Sequence, residues 1–374
     1  MAGVGTARIL VVNAGSSSLK LRLLDPADTV LAEADLPSLR GADDADAVRE
    51  AIAPFGTVDA VGHRVVHGGT RFTGPVLLDE ASIAEIRALT ELAPLHQPKS
   101  LAGIEAVAAA LAGVPSVASF DTAFHATIPP AAATYAIPGA WRNRWGVRRY
   151  GFHGLSHAYA SRRVAELVGR DDDPGLRVVT CHLGAGASLA AVLGGRSVDT
   201  TMGFTPLEGL VMATRSGTVD PGLILWLANH QGVDPAEISE TLEHRSGLLG
   251  LAGTADMRAV LDGSQAGEPD ARLALEVYLH RLRGAVAAMA ASLGGLDAIA
   301  FTGGVGERAP VVRAMAADGL GFLGVALDAV SNSRPGTGDR EIGGPDAAVR
   351  AFVIPAREDV EIARDVRTVA GTTA

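Results

Sequence analysis

The chain is short of the residue types that build disulfide scaffolds, cysteine-based metal sites and lysine-rich surfaces. Its single cysteine, Cys181, excludes an intramolecular disulfide and a cysteine-based zinc site, and it indicates a reducing compartment. Lysine occurs only as Lys20 and Lys99, so each lysine calls for a local reason. With 32 basic against 42 acidic residues, the net charge of −10 argues against a nucleic-acid or anionic-membrane binder, although it leaves room for a basic pocket that takes a phosphorylated small molecule.

Long apolar runs are also missing. The run nearest the start of the chain, Ile9 to Val12, is far shorter than the apolar core of a signal peptide. The longest uncharged stretch, Thr122 to Trp141, is interrupted by prolines, so it does not read as a membrane span. Hydrophobic residues nevertheless make up 48% of the 374 residues, which predicts two domains with substantial cores. We therefore expect a soluble cytoplasmic protein that binds neither membrane nor nucleic acid.

Two segments predict the same strand, turn and strand unit. Ile9 to Leu24 joins an apolar run to an alternating arm, and Val178 to Val192 repeats its hydrophobic outline and glycine placement, which suggests duplicated halves. A third segment, Ala298 to Thr302, predicts a strand that runs into a glycine turn and then a helix from about Ala309. Helical spacing between these strands indicates a mixed α/β protein, with helices over Ser82 to Leu92, Ser100 to Ala112, Ser156 to Val168, Leu223 to Gln231, Asp270 to Leu293 and Asp359 to Ala370.

Polar groups near the predicted strand ends have the chemistry of phosphate and metal binding. The N-terminal turn combines hydroxyls and an amide with the rare Lys20, although neither lysine completes a GxxxxGK[ST] loop. Glycine turns in both halves suggest phosphates that are approached by backbone N–H groups. An ordinary serine-rich hairpin is the simpler alternative for the first of these turns.

Two arginines and two carboxylates are candidates for phosphoryl chemistry. Arg64 lies in GHRVVHGG, and Arg215 lies in a Thr- and Gly-rich stretch where it could neutralise developing phosphoryl charge. Asp121 ends an apolar run, where one carboxylate could hold Mg²⁺ through water, and Glu358 could complete an acidic site. Taken singly, Arg215 on a solvated face, Asp121 as a helix cap and Glu358 as a helix N-terminal carboxylate remain alternatives.

The histidines add candidates but no metal motif. His153 and His157 have the spacing of a helical metal pair, but no HExxH pattern and no third ligand accompany them, so a zinc protease is not expected. His63 and His67, which flank Arg64, are best explained as hydrogen-bonded structural histidines.

Segments along nearly the whole chain, taken together and in order, resemble the acetate kinase family: NAGSSSLK, GHRVVHGG, FDTAFH, YGFHGLSH, CHLGAG, MGFTPLEGLVMATRSGTVDP and FTGGVGE. The GFTPLEG run with its downstream arginine is the strongest part of the resemblance. It implies an α/β fold of two duplicated actin-like (ribonuclease H-like) domains with an interdomain nucleotide cleft. The implied domains are 1–148, completed by a C-terminal helix at 359–374, and 149–358, which would carry the adenosine motif and a dimer interface.

The resemblance also implies a reaction, its cofactors and its residues. The γ-phosphoryl group of ATP would pass reversibly and in line to acetate, giving acetyl phosphate and ADP, with Mg²⁺ as the metal, Mn²⁺ as its substitute and a homodimer as the assembly. The implied catalytic residues are Arg64, Asp121, His153 and Arg215, and the implied metal ligands are Asn13, Asp121 and Glu358. The implied nucleotide-binding residues are Asn13, Ser16, Ser18, Lys20, His182, Gly184, Gly186, Asp256, Gly303, Gly304, Val305 and Gly306, and the acyl pocket comprises Val66, Leu95, Phe152 and Pro206.

Some positions depart from the pattern of the family. The family usually has Asn where this chain has Ala185 and Arg308; Gln97, Ala356 and Arg357 are further departures, and together they bear on nucleotide affinity and donor choice. A propionate or other short-chain acyl kinase is one alternative, and a non-catalytic ATP-binding protein is another. An NAD-dependent dehydrogenase is a third, because the chain from Gly304 to Ala309 fits GxGxxA and Asp328 follows.

Overall fold

The computed structural model describes residues 7–15, 18–94 and 96–371. The chain divides into two compact units, the first formed by Met1–Ala126, Phe152–Leu155 and Arg357–Ala374, and the second by Thr127–Gly151 and Ser156–Ala356. Each unit contains one six-stranded mixed sheet with helices packed on it. No helix in the described ranges is long and apolar enough to cross a membrane.

The two sheets have the same strand order, which confirms the duplicated α/β architecture. In each sheet three antiparallel strands lead into two parallel strands, and a two-residue antiparallel strand closes the far edge, giving the orders β3-β2-β1-β4-β6-β5 and β9-β8-β7-β10-β12-β11. The strands are β1 (Ile9–Ala14), β2 (Ser18–Leu24), β3 (Val30–Pro37), β4 (Ala60–Val65), β5 (Val76–Leu77), β6 (Ser116–Phe120), β7 (Arg177–Leu183), β8 (Ala187–Leu193), β9 (Arg196–Thr200), β10 (Ala298–Thr302), β11 (Arg340–Glu341) and β12 (Arg350–Val353).

Helices connect the strands, and the six predicted from sequence spacing are all present with ends that differ by a few residues. The helices of the described residues are α1 (Ala45–Ile52), α2 (Glu80–Ala88), α3 (Gln97–Ala110), α4 (Pro130–Ala133), α5 (Gly139–Trp145), α6 (Gly154–Val168), α7 (Pro221–His230), α8 (Pro235–His244), α9 (Gly247–Ala252), α10 (Met257–Gln265), α11 (Pro269–Leu293), α12 (Gly303–Arg308), α13 (Pro310–Asp318), α14 (Ala329–Ser333) and α15 (Glu358–Gly371).

Helix α7 shows why some helices begin earlier than their apolar spacing predicts. It begins at Pro221 rather than at Leu223, because proline at the first helical position loses no hydrogen bond and already has a helical φ. Asp220 caps the helix by accepting a 2.8 Å hydrogen bond from the backbone N–H of Gly222. The pair Asp234–Pro235 starts α8 in the same way.

The prediction of a glycine turn after β10 was wrong. Strand β10 leads directly into α12, which begins at Gly303. Gly303 has φ 77°, and a Cβ there would lie 2.8 Å from the carbonyl oxygen of Leu183. Only glycine accommodates both that conformation and that close approach, so this residue permits a strand-to-helix junction without a turn.

In the first unit, the packing of the sheet determines where its polar strand ends lie. One face covers an apolar cluster that includes Leu10, Leu21, Val48 and Val107. Helix α15 packs against β1, β4 and β6 through buried residues such as Ile362. Because β1, β4 and β6 are parallel neighbours, their carboxyl ends meet at one edge of the sheet.

Candidate functional site

The carboxyl edge of the first sheet brings together three predicted site residues. Asn13 lies near the end of β1 directly opposite Arg64 on β4. Asp121 follows β6, and its backbone N–H donates a 3.0 Å hydrogen bond to the carbonyl oxygen of Val65. The local sequence thus places an amide, a guanidinium and a carboxylate on adjacent strands at the edge where α/β folds bind ligands.

Arg64 is the centre of this cluster. Its Nη2 and Nε donate to the two carboxylate oxygens of Asp121 at 2.5 and 3.1 Å, and its Nη1 donates to Asn13 Oδ1 at 3.3 Å. Glu358, at the start of α15, accepts a 3.3 Å hydrogen bond from Asn13 Nδ2 and lies 3.6 Å from Arg64 Nε. The Asp121 side chain is 1% exposed, against 16% for Arg64 and 19% for Glu358. The cluster is therefore a bidentate ion pair with a second carboxylate beside it.

Burial and neighbouring charge compete in this cluster. Burial raises the pKa of Asp121 to about 6, with Arg64 lowering it and Glu358 raising it further. Burial lowers the pKa of the Arg64 guanidinium, but the charges of Asp121 and Glu358 outweigh burial and raise it overall. Arg64 is consequently a fixed cation, and its charge is already shared between two acidic side chains.

The same side chains have the donor chemistry that Mg²⁺ prefers. The carboxylates of Asp121 and Glu358 and the amide oxygen of Asn13 are hard oxygen ligands. Among residues 7–15, 18–94 and 96–371 there is no group of three or more His, Cys, Asp or Glu side chains that could hold a metal ion. The set therefore fits Mg²⁺ that keeps several waters and shares its coordination with phosphate oxygens, rather than an ion held by protein alone.

His153 has a backbone conformation that is uncommon for a side-chain-bearing residue. Its φ is 55°, and the next residue, Gly154, donates a 2.9 Å hydrogen bond from its N–H to the carbonyl oxygen of Asp121. Such strain is concentrated at functional sites. The neighbouring Phe152 is buried, and its carbonyl oxygen lies 3.0 Å from His125 Nε2. The segment that carries His153 is thereby attached to the loop that carries Asp121.

The other predicted residues of the first unit are only partly brought together. Lys20 is exposed on β2 directly opposite Asn13, and Ser18 begins the same strand. Val66 is buried just after β4, while Pro206 of the proposed acyl pocket belongs to the second unit. Ser16 and Leu95 lie outside the described residues, so the complete acyl pocket stays a prediction.

The second unit contains a cavity of about 630 Å³ that several predicted nucleotide-binding residues line. Gly184, Asp256, Gly304 and Val305 line it, together with Ala185, Arg258 and Arg308. Gly303 and Gly306 are buried residues of α12 that are not part of its wall. Gly184 and Gly304 lie close together and form what we call the glycine-rich end of the cavity. Apolar residues elsewhere on the wall include Ala213, Leu248, Met257, Leu261, Pro310 and Val311.

The turn that supplies Gly184 is held by hydrogen bonds. The N–H of Gly184 donates to the carbonyl oxygen of Gly186 at 2.9 Å. Ser156 Oγ lies 2.8 Å from Nδ1 of His182, which fixes the ring at the end of β7. Buried His157 hydrogen-bonds through both ring nitrogens, to Thr180 and Ser188. Since both nitrogens of His157 are engaged, His153 and His157 do not form a metal pair, despite having its spacing.

Arg215 contrasts with Arg64, because no carboxylate among the described residues forms an ion pair with it. It is half-buried in the second unit, and burial lowers its pKa while Glu243 raises it. Within the part of the chain that the structure describes, no carboxylate lies within 4.0 Å of its guanidinium, and its side chain contacts Met212 Sδ at 3.8 Å. A half-buried guanidinium that has no carboxylate within ion-pair distance is suited to binding an anionic ligand.

A half-buried hydrogen-bond network contacts the GFTPLEG segment, and no sequence pattern predicted it. Arg149 Nη2 donates to Glu208 Oε1 at 2.6 Å, and the Tyr135 hydroxyl donates to the other oxygen of the same carboxylate. That hydroxyl accepts a 2.9 Å hydrogen bond from the N–H of Phe204. The network thus fixes the chain on both sides of Pro206, through Phe204 and Glu208. Glu208 within the motif was the available signal, but its partners lie more than 55 residues away.

Comparisons with known proteins match nearly the whole chain to acetate and propionate kinases. The sequence model of the acetokinase family matches residues 44–364. An acetate kinase of Leifsonia xyli is 47% identical over 95% of this chain and 97% of its own length. Among solved structures, Porphyromonas gingivalis acetate kinase has a TM-score of 0.89 at 36% identity, covering 97% of this chain and 100% of its own. A propionate kinase from Francisella tularensis has a TM-score of 0.90 at 35% identity, with the same coverage.

The duplicated sheets and these structural matches define a two-domain α/β protein of the actin-like class, to which acetate and propionate kinases belong. Within that class, the chain belongs to the acetokinase family, whose members are phosphotransferases with a carboxyl group as acceptor.

Proposed function

We propose that this protein transfers the γ-phosphoryl group of ATP reversibly to acetate, forming acetyl phosphate and ADP. The observation that carries the proposal is the Arg64, Asp121 and Glu358 cluster, assembled at the carboxyl ends of adjacent parallel strands in a chain of the acetokinase family. Acetate kinases of other organisms supply the substrate assignment.

The chemistry of the acceptor explains which side chains the site needs. The unperturbed pKa of a carboxylic acid is near 4, so acetate is already an anionic nucleophile at neutral pH and needs no general base. The protein must instead hold two anions in line and offset their repulsion. In this proposal Arg64 and Arg215 bind transferring charge, and His153 donates a hydrogen bond to the phosphoryl oxygens as negative charge builds up on them.

We propose that Asn13, Asp121 and Glu358 hold Mg²⁺, directly or through its waters. When bound, Mg²⁺ offsets the charge of the nucleotide phosphates and orients them. Asp121 also fixes the guanidinium plane of Arg64 through its two hydrogen bonds, and Asn13 joins that guanidinium to Glu358. Mn²⁺ has similar oxygen-ligand preferences and is the expected substitute.

The cavity of the second unit is the proposed nucleotide site. Its glycine-rich end, at Gly184 and Gly304, leaves room for phosphates close to the backbone, and its apolar wall suits a nucleoside base. Ser16, Ser18, Lys20, His182 and Gly186 are proposed to complete the phosphate contacts. We retain 1–148 with 359–374, and 149–358, as the proposed functional domains. Use of ATP, together with the lone Cys181, supports a cytoplasmic location.

Trapping of the acyl phosphate tests the proposed function. The purified protein, incubated with ATP, Mg²⁺, acetate and hydroxylamine, is expected to form acetohydroxamate, with no product when either substrate is omitted. ATP binding without hydroxamate would support a non-catalytic protein instead. NADH oxidation, measured in parallel, would support the dehydrogenase alternative.

Acyl-chain preference is a separate question, because a propionate kinase matches this structure as well as an acetate kinase does. Val66, Leu95, Phe152 and Pro206 are proposed to form the acyl pocket. Steady-state kinetics with acetate, propionate and butyrate measure its depth. The highest kcat/KM for acetate is expected, and a preference for propionate would assign the chain to propionate phosphorylation.

We propose a homodimer that is formed through the second unit. Helix α7 has no buried residue, and its Leu223, Leu225 and Trp226 are 44%, 62% and 49% exposed. An apolar helix of this kind is typical of a protein interface. Light scattering after size exclusion is expected to give a dimer that Leu225→Glu dissociates. Leu31→Glu, at an exposed leucine of the first unit, is the matched control and should leave the dimer intact.

A further inference from the structure

Arg308 has a position in the nucleotide cavity that the family pattern does not account for. It is an exposed residue at the end of α12, and it lines the same cavity as Ala185. No hydrogen bond or ion pair to its guanidinium is found among the residues that the structure describes. We propose that Arg308 contacts the phosphate chain of the nucleotide that binds in this cavity. This inference rests on the proposed function of the cavity.

The guanidinium lies at the glycine-rich end of the cavity. Arg308 Nη2 is 2.8 Å from the point that a Cβ on Gly304 would occupy. The corresponding point on Gly184 is 3.9 Å from the backbone nitrogen of Gly304. With no side chain on either glycine, a ligand that reaches these backbones also reaches the donors of Arg308. Phosphate oxygens are the ligand atoms that accept hydrogen bonds from a guanidinium and that fit the close approach to backbone that glycine permits.

The other charged residues on the wall of the cavity are paired with each other. Arg258 Nη2 donates to Asp256 Oδ2 at 2.8 Å, and its Nε lies 3.2 Å from both oxygens of that carboxylate. Hydrogen bonds from Arg258 lower the pKa of Asp256, which keeps the pair ionised. Arg308 is therefore the unpaired cation among the described wall residues, and its donors remain available to an anionic ligand.

The apolar part of the wall indicates that Arg308 contacts phosphate rather than the nucleoside base. Met257, Leu261 and Val311 are far better suited to the nucleoside base than to phosphate. Ala185 contributes no side-chain hydrogen bond at the glycine-rich end, where the family usually has an amide. In this chain, Arg308 thus supplies at that end a cation that an asparagine at the same position would not.

Binding measurements on the full-length protein separate these contacts without relying on turnover. Calorimetric titration with ADP and with adenosine is proposed for wild type, Arg308→Gln, Arg308→Lys and Arg272→Gln. Arg272 is an exposed arginine of α11, paired with Glu276 on the surface, and serves as the control. Arg308→Gln should weaken ADP binding about tenfold while adenosine binding stays unchanged, because a charge-assisted contact to phosphate is lost. Arg308→Lys should recover part of the loss, and 0.5 M salt should reduce the difference.

Each other result would overturn the inference. Equal weakening of ADP and adenosine would place Arg308 on the nucleoside, and unchanged ADP binding would exclude any contact. Loss of ADP affinity in Arg272→Gln as well would indicate a nonspecific charge effect. If the wild type does not bind ADP, both the proposed function and this inference fail. If it binds ADP but Arg308→Gln has no effect, only the inference fails.

Discussion

The pairing of Arg64 with Asp121 allows a structural contribution to be measured separately from a catalytic one. Replacing Arg64 by Ala removes the cation that two carboxylates share. Asp121, which is 1% exposed, would then face Glu358 without compensation. We expect both turnover and stability to fall, for different reasons.

The magnitude of each loss follows from burial and charge. Removing one partner of a buried ion pair costs about 3–5 kcal/mol, and the 16% exposure of Arg64 favours the lower end of that range. The pKa of Asp121, already about 6, would rise further without the guanidinium that lowers it. Changing Asp121 to Asn in the Arg64→Ala background removes the uncompensated charge, so most of the lost stability should return. Turnover should fall at least ~100-fold in the single variant and should not return in the double variant.

Two assays on the same preparations measure these effects. Urea unfolding followed by circular dichroism at pH 7 gives the free energy of unfolding, and hydroxamate trapping at saturating substrates gives turnover. Arg71→Ala is the control, since Arg71 forms an exposed ion pair with Glu85 and should change stability by less than ~1 kcal/mol. A double variant as unstable as Arg64→Ala would refute the charge argument. Near-normal turnover in Arg64→Ala would refute the catalytic role.

Further predictions concern pH, the GFTPLEG segment and the acyl pocket. Burial raises the pKa of Asp365 to about 6. Its contribution to the free energy of unfolding is therefore greatest below its unfolded pKa of ~4 and is lost as pH rises to about 6. In urea unfolding, the Asp365→Asn variant should be more stable than the wild type by ~1–2 kcal/mol at pH 7.5 and equally stable near pH 4. Glu208→Gln should raise KM for acetate several-fold with little change for ATP, because it weakens the Arg149 contact beside Pro206; equal changes would contradict this. Val66→Ala should raise the propionate-to-acetate ratio of kcat/KM about tenfold, and an unchanged ratio would exclude Val66 from the pocket.

The elements that could be predicted from the sequence are those whose hydrophobic residues recur with a clear strand or helix period. The hairpin from Ile9 to Leu24 and the helix α11 have clear alternation or helical spacing, and both are present. The edge strands β5 and β11 have two residues each, which is too few for any hydrophobic period to show. They form because their backbones hydrogen-bond to a neighbouring strand. Helix α12 was missed because its glycines are typical of turns, whereas strand and helix meet there directly.

The candidate site was predictable only where a motif is local. Arg64 lies on β4 and Asp121 directly follows β6; a parallel sheet brings the ends of these strands together, and the sequence pattern points to each strand. Nothing in local spacing joins Asn13 to Glu358, which are 345 positions apart. Their contact depends on α15 packing across β1. Glu358 was a candidate because it follows an apolar run and because of the resemblance to a family, and no spacing pointed to Asn13 as its partner.

Arginine identity alone says little about function in this chain, because all but two of its 32 basic residues are arginines. The arginines differ in whether the guanidinium already pairs with a carboxylate. Arg64 already donates to Asp121 and Asn13, so its main contribution should be a fixed guanidinium plane, while Arg215 has no carboxylate within ion-pair distance among the described residues and can pair with a ligand. Arg215→Ala should therefore lower turnover at least as much as Arg64→Ala while costing less stability, since it leaves no buried carboxylate uncompensated. The same urea and hydroxamate assays measure both quantities, and a larger stability loss for Arg215→Ala would contradict this division of roles.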